Sequence, residues 1–312
     1  MYIEQGYKGD IGLWKYFIIP TAFITFMVLN YIATVNSPVS VEDTMQQIIA
    51  QFGSNLVLII LLFPLAVGLF VVLGWTYLVH KQSITSLTTS RKKIDWGRIF
   101  FSFGLWTVVM ILLVGLDIYF SPDSYVLNFD LTKFIVLAII GIILIPMQTS
   151  FEEYLFRGHM MQGLGILAKN RWVPLVVTSA LFGLMHIANP EVEKLGFGIL
   201  IYYIGTGFFL GILTLMDEGL ELTLGFHAAN NLITALLVTA DWTAFQTNSI
   251  YKDISEPSLG WDAVIPVFVV FPILLWFFSK KYGWKNWKDR LFGKVLTKEE
   301  FVALNDGESN LA

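Results

Sequence analysis

Long uncharged runs alternate with short charged segments along this chain. Residues 16–35, 56–79, 99–116, 134–151, 172–190, 195–216, 222–240 and 263–279 are apolar stretches bounded by charged or turn-forming residues. The first is 20 residues without a charge, enough to cross ~30 Å of hydrocarbon at ~1.5 Å per helical residue. It exceeds the apolar core of a cleaved leader, so it reads as a retained helix after a short polar segment, residues 1–15. The pattern predicts an all-α integral membrane protein with eight transmembrane helices. Pro64, Pro146, Pro266 and Pro272 fall inside apolar runs and predict local kinks. Gly207 and Gly211 form a GxxxG, which predicts close packing of two helices.

Charge adds an orientation. One set of loops holds 17 of the 20 basic residues, at Lys8 and Lys15, Lys81 to Arg98, Arg157 to Arg171 and Lys280 to Lys298, and the alternate loops hold Lys133, Lys194 and Lys252. Basic loops stay on the cytoplasmic side, so both termini are expected there, as an even number of spans requires. At 55% hydrophobic and 14% charged residues, against about 25% charged in a soluble domain, the composition fits a multi-pass protein of the cell membrane. No basic stripe accompanies a nucleic-acid-binding fold. With no cysteine, disulfides and thiolate metal sites are excluded. Residues 1–130 are expected to form an N-terminal region of three helices, 131–279 a five-helix core, and 280–312 a cytoplasmic tail whose Trp284, Trp287 and Phe292 suit an interfacial anchor.

Candidate chemistry begins where an apolar run ends in charge. Glu152, Glu153 and Arg157 directly follow the uncharged residues 134–151. A carboxylate at membrane depth costs about 2.5–3.5 kcal/mol even on lenient scales, so such a cluster marks function by default. Glu153 and Arg157 are i and i+4 in the favourable order for an ion pair. Glu152 is turned ~100° from Glu153 on a regular helix, free to face a polar cavity within the bundle and take a proton from water. His186, four residues after Phe182, and the pair His227 and Asn231, stacked at i and i+4, lie in later spans. They could orient that water, donate to an oxyanion or hold a metal. His80 and His159 lie near predicted membrane edges and receive no role. A helix running from 134 to 168 would be too long for one straight crossing, which predicts a bend near Pro146 or a break.

The three motifs Glu-Glu-x-x-x-Arg, Phe-x-x-x-His and His-x-x-x-Asn, here Glu152, Glu153 and Arg157, then Phe182 and His186, then His227 and Asn231, resemble the signature of the CPBP intramembrane proteases. These are the CAAX-processing and bacteriocin-processing, or Abi/Rce1-like, enzymes. The likeness covers about residues 134–240. It implies peptide-bond hydrolysis within the membrane, acting on a membrane-associated protein or peptide. It implies Glu152 as general base, His186 and His227 as water or metal partners and Asn231 as an oxyanion or ligand residue, with Glu153, Arg157 and Phe182 in support.

The metal question has two answers at this point. Glu152, His186 and His227 match a zinc set with an open position, and the family is commonly labelled metallopeptidase. A glutamate with histidine and asparagine can equally activate water with no zinc or other divalent ion. A different class of function, a catalytically silent scaffold or immunity protein that binds partner proteins, would be marked by loss of a motif residue, and none of the motif residues is lost.

Overall fold

The computed structural model describes residues 1–12 and 14–309 and is mostly helical. Helix α1 (Lys15–Val35) leads to α2 (Val41–Phe52), α3 (Ser54–Leu78), the short α4 (Ile84–Thr88) and α5 (Trp96–Phe120). After β1 (Tyr125–Leu127) come α6 (Leu131–Glu153), a π-helical turn (Tyr154–Met160) and α7 (Met161–Ala168). Then follow α8 (Trp172–Leu184), α9 (Pro190–Leu195), α10 (Leu200–Asp217), α11 (Glu221–Leu237), β2 (Val238–Thr239) and β3 (Tyr251–Asp253). Helices α12 (Phe271–Tyr282), α13 (Trp287–Phe292) and α14 (Lys298–Ser309) complete the chain. Local chemistry sets many of the boundaries. Ser40, Asp95 and Asp130 cap α2, α5 and α6 by accepting from the backbone N–H three residues on. Lys169 and Glu218, with φ 56° and 59°, end α7 and α10 in the left-handed region.

All eight apolar runs are at least partly helical, and among the described residues five helices are long and apolar enough to cross a membrane: Lys15–Val35, Ser54–Leu78, Trp96–Phe120, Leu131–Ala168 and Phe197–Asp217. The rest are shorter. Helix α8 has 13 residues, α11 has 17 and α12 has 12, the last continuing directly from a π-helical turn at Pro266–Val270. Polar positions explain α11, which carries Glu221, His227, Asn230 and Asn231 and is buried over much of its length. The Leu131–Ala168 rod runs 38 residues, or ~57 Å. The expectation was a bend near Pro146 or a break; Pro146 lies inside α6, and the irregularity falls in the π-turn that follows Glu153.

Two close helix approaches bring the site elements together. Gly207 and Gly211 pack α10 on α8, as the GxxxG predicts: a Cβ at Gly207 would stand 2.5 Å from the Ser179 carbonyl oxygen. Gly225 lets α11 lie directly on the backbone of Ile99 and Phe103 in α5. At one end of the bundle β3 pairs antiparallel with β1 and parallel with β2.

The opposite end is tied together by both chain termini. The leader is not a free polar segment: Tyr2 to Gly6 are buried, and Glu4 pairs with Arg171 at 2.7 Å. The tail also folds back, with Val295 N–H donating to the Lys169 carbonyl at 3.2 Å and Trp284 to Asp217 at 3.1 Å. Arg91 and Arg98 hold the buried Asp217 on this end as well. His80 and His159, expected at membrane edges, are fully buried and packed on Tyr16.

Candidate active site

Where α6 passes into the π-turn, two carboxylates leave the helix side by side. A π-turn widens the helix by one residue and is common at functional sites. Glu153 is fully buried, and its Oε1 accepts from Arg157 Nη1 at 3.0 Å, the expected i, i+4 pair. Arg157 is also fully buried, donates through Nη2 to the Gly207 carbonyl at 3.0 Å and stacks over the Phe182 ring at 4.1 Å. Phe182 thus supports the guanidinium from α8.

Both carboxylates reach one histidine. His227 Nδ1 lies 2.8 Å from Glu153 Oε1, and its Nε2 lies 3.5 Å from Glu152 Oε2. The ~100° separation expected on a regular helix does not carry them to different places, because the imidazole spans both. At 2.8 Å from an oxygen that also accepts from Arg157, Nδ1 donates to Glu153. Nε2 faces Glu152 Oε2, and the Oε2 atoms of both carboxylates have no hydrogen-bond partner. Glu152 Oε1 is held from its own helix by Gln148 Nε2 at 2.6 Å.

Asn231 joins through the same amide, donating to Gln148 Oε1 at 3.3 Å. Its neighbour Asn230 donates to Asn231 Oδ1 at 3.1 Å and accepts from the Trp106 indole at 3.1 Å. His186 stands apart from the carboxylates. Its Nδ1 donates to the Phe182 carbonyl at 2.9 Å, and its ring stacks on Tyr203 at 4.2 Å. The Phe182 ring lies against both histidines, 5.3 Å from His186 and 5.7 Å from His227. A cavity of about 420 Å³, lined by Tyr31, Val35, Ile187, Asn189 and Phe197 among others, opens beyond His186 on the end away from the termini.

Sequence reasoning passed over Gln148 and Trp106. Gln148 had a signal, being four residues before Glu152 on the same helix face. Trp106 had none, since nothing local links it to α11. The donor set does not fit a metal. Among the described residues no three His, Asp or Glu side chains converge as ligands, and His186, the third expected ligand, is turned to the Phe182 carbonyl and the Tyr203 ring.

The sequence profile described as Type II CAAX prenyl endopeptidase Rce1-like matches residues 129–233, the stretch that contains Glu152, Glu153, Arg157, His186, His227 and Asn231. A curated relative, an uncharacterized protein named YyaK from Bacillus subtilis (strain 168), is 30% identical over 294 residues, spanning 88% of this chain and 95% of its own. No solved structure matches. The chain belongs to the Rce1-like, or CPBP, family of membrane proteases.

Proposed function

We propose that this protein is an intramembrane endopeptidase that hydrolyses a peptide bond of a membrane-associated protein or peptide by glutamate-activated water. The observation that carries the reading is the asymmetry of the two buried carboxylates. Each carboxylate leaves its Oε2 without a hydrogen-bond partner, but Glu153 Oε1 is shared by the Arg157 guanidinium and His227, whereas Glu152 Oε1 is held only by the neutral Gln148 amide and its Oε2 lies beside His227 Nε2. A water donating to Glu152 Oε2 would be turned toward a carbonyl carbon by His227. As it attacks, its proton moves to Glu152 and a tetrahedral oxyanion forms. A free N–H of Asn231 donates to that oxyanion, and Glu152 then hands the proton to the departing amine as the C–N bond breaks. Glu153 and Arg157 fix His227, and Phe182 holds Arg157. His186, through Nε2, lines the approach. No step is routed through a metal, because the donors do not converge.

Eight membrane crossings with both termini cytoplasmic complete the reading. The basic residues at the termini end, including Lys15, Lys81, Arg91, Arg98, Arg171 and Arg290, each pair with an acid there. The sheet end carries Lys194 and Lys252, each paired with an acid. The test is cleavage by purified wild type and Glu152→Gln of a panel of prenylated and unprenylated C-terminal peptides, with and without a chelator. Wild-type cleavage that survives chelation and is lost in Glu152→Gln supports the reading. Full activity in Glu152→Gln, or loss on chelation restored by added metal, overturns it.

A further inference from the structure

The amide side chains beside Glu152 form a chain with a single direction. Trp106 Nε1–H donates to Asn230 Oδ1 at 3.1 Å and Asn230 Nδ2 to Asn231 Oδ1 at 3.1 Å. Asn231 Nδ2 then donates to Gln148 Oε1 at 3.3 Å and Gln148 Nε2 to Glu152 Oε1 at 2.6 Å. Its two ends set the direction. An indole nitrogen can only donate, and an ionised carboxylate can only accept. Between them each amide has one orientation that satisfies both neighbours. Flipping any of the three would set oxygen against oxygen on one side and N–H against N–H on the other. The Tyr202 hydroxyl also meets Asn230, but a hydroxyl both donates and accepts and so imposes no direction.

Trp106 suits the role of anchor. Only 4% exposed on α5, it packs against Phe226 at 4.5 Å and Phe271 at 6.4 Å. Its ring cannot turn the N–H elsewhere without repacking that cluster.

We infer that Trp106 and Asn230 are positioning residues that set the polarity of the Asn231 and Gln148 amides and thereby aim the reacting groups of the site. This rests on the proteolytic reading above. With its oxygen taken by Asn230, Asn231 can present only N–H toward substrate, as an oxyanion donor must. With Gln148 locked as donor, Glu152 Oε1 is held and Oε2 is left for water. The relay also gives Asn230 a purpose and brings α5, from the part of the chain N-terminal to the family match, into the site.

The test uses the full chain in detergent with Trp106→Phe, which keeps an aromatic ring and loses the donor, Gln148→Met, and the double variant. Trp106→Phe should lower kcat about 3- to 10-fold with KM nearly unchanged, and Gln148→Met about 10- to 100-fold. The double variant should be no slower than Gln148→Met alone, because both cut one chain. Multiplying effects in the double variant would mean separate structural roles and overturn the relay. A second readout needs no turnover: the Trp106 indole resonance in 15N-labelled protein, assigned by its loss in Trp106→Phe. It should shift in Gln148→Met, and an unmoved resonance overturns the relay. If wild type cleaves none of the peptides, the proteolytic reading loses its support while the indole resonance still decides the relay.

Discussion

At the scale of single residues the site depends on charge compensation. Arg157 and Glu153 are both fully buried, so removing one leaves an uncompensated charge. Arg157→Ala should cost on the order of 3–5 kcal/mol of stability, read as a lower thermal midpoint in detergent. Arg157→Lys should recover only part of it. A lysine cannot bridge Glu153 and the Gly207 carbonyl with a planar fork while lying on the Phe182 ring. A second prediction concerns His80, buried beyond the end of α3 among Tyr16, His159, Lys15 and the Asp10 carbonyl. Burial pushes its pKa below the usual histidine range, against the pull of that carbonyl. The unfolded chain therefore takes up a proton that the folded chain refuses. Stability is complete above about pH 6.5 and falls as pH drops from there toward the lowered folded value. Thermal midpoints between about pH 8 and 5.5 should fall in wild type and fall less steeply in His80→Phe; equal slopes would remove His80 as the cause. The charged and histidine members of the site were legible because ionisable groups stand out in apolar runs. Gln148 had only its i, i+4 spacing to Glu152, and Trp106, in mid-helix, had no signal, since only the fold brings it to α11.

Among elements, helix lengths and the π-turn decide how the residues meet. Hydropathy located the apolar runs but not the helix ends within them, and α8, α11 and α12 are shorter than their runs and partly buried. A helix enclosed by others tolerates polar residues and early ends that lipid would not. Nor could it locate the π-turn, which leaves no mark in composition. The GxxxG, by contrast, was legible, and its two glycines are not equivalent. A Cβ at Gly207 meets backbone of Ser179, whereas a Cβ at Gly211 meets chiefly the Leu175 Cδ1 methyl at 2.6 Å. Backbone cannot move aside and a methyl can. Gly207→Ala should therefore separate α10 from α8, weaken the Arg157 contact to the Gly207 carbonyl and reduce activity at least about tenfold, whereas Gly211→Ala should lose only about two- to threefold. Cleavage rates and thermal midpoints of the two variants, measured side by side, check the contrast.

For the whole molecule, the distribution of charge and the covering of the two ends lead to one prediction about sidedness. The termini end is closed by the Ile3–Lys8 turn, buried as far as Gly6, by α4 and by the returning tail, and the arginines there pair with Glu4, Asp217, Glu218 and Glu221. The sheet end has fewer basic groups, and the cavity beyond His186 opens on it. Because basic loops resist translocation, the termini end should face the cytoplasm and that cavity the outside. The absence of cysteine makes this directly measurable. Lys285 and Ser255 are exposed on opposite ends, so Lys285→Cys and Ser255→Cys each add one thiol to a background of none. In intact cells a membrane-impermeant maleimide should label Ser255→Cys at once and Lys285→Cys only after the membrane is opened. Labelling of Lys285→Cys from outside would reverse the orientation and turn the cavity beside His186 toward the cytoplasm.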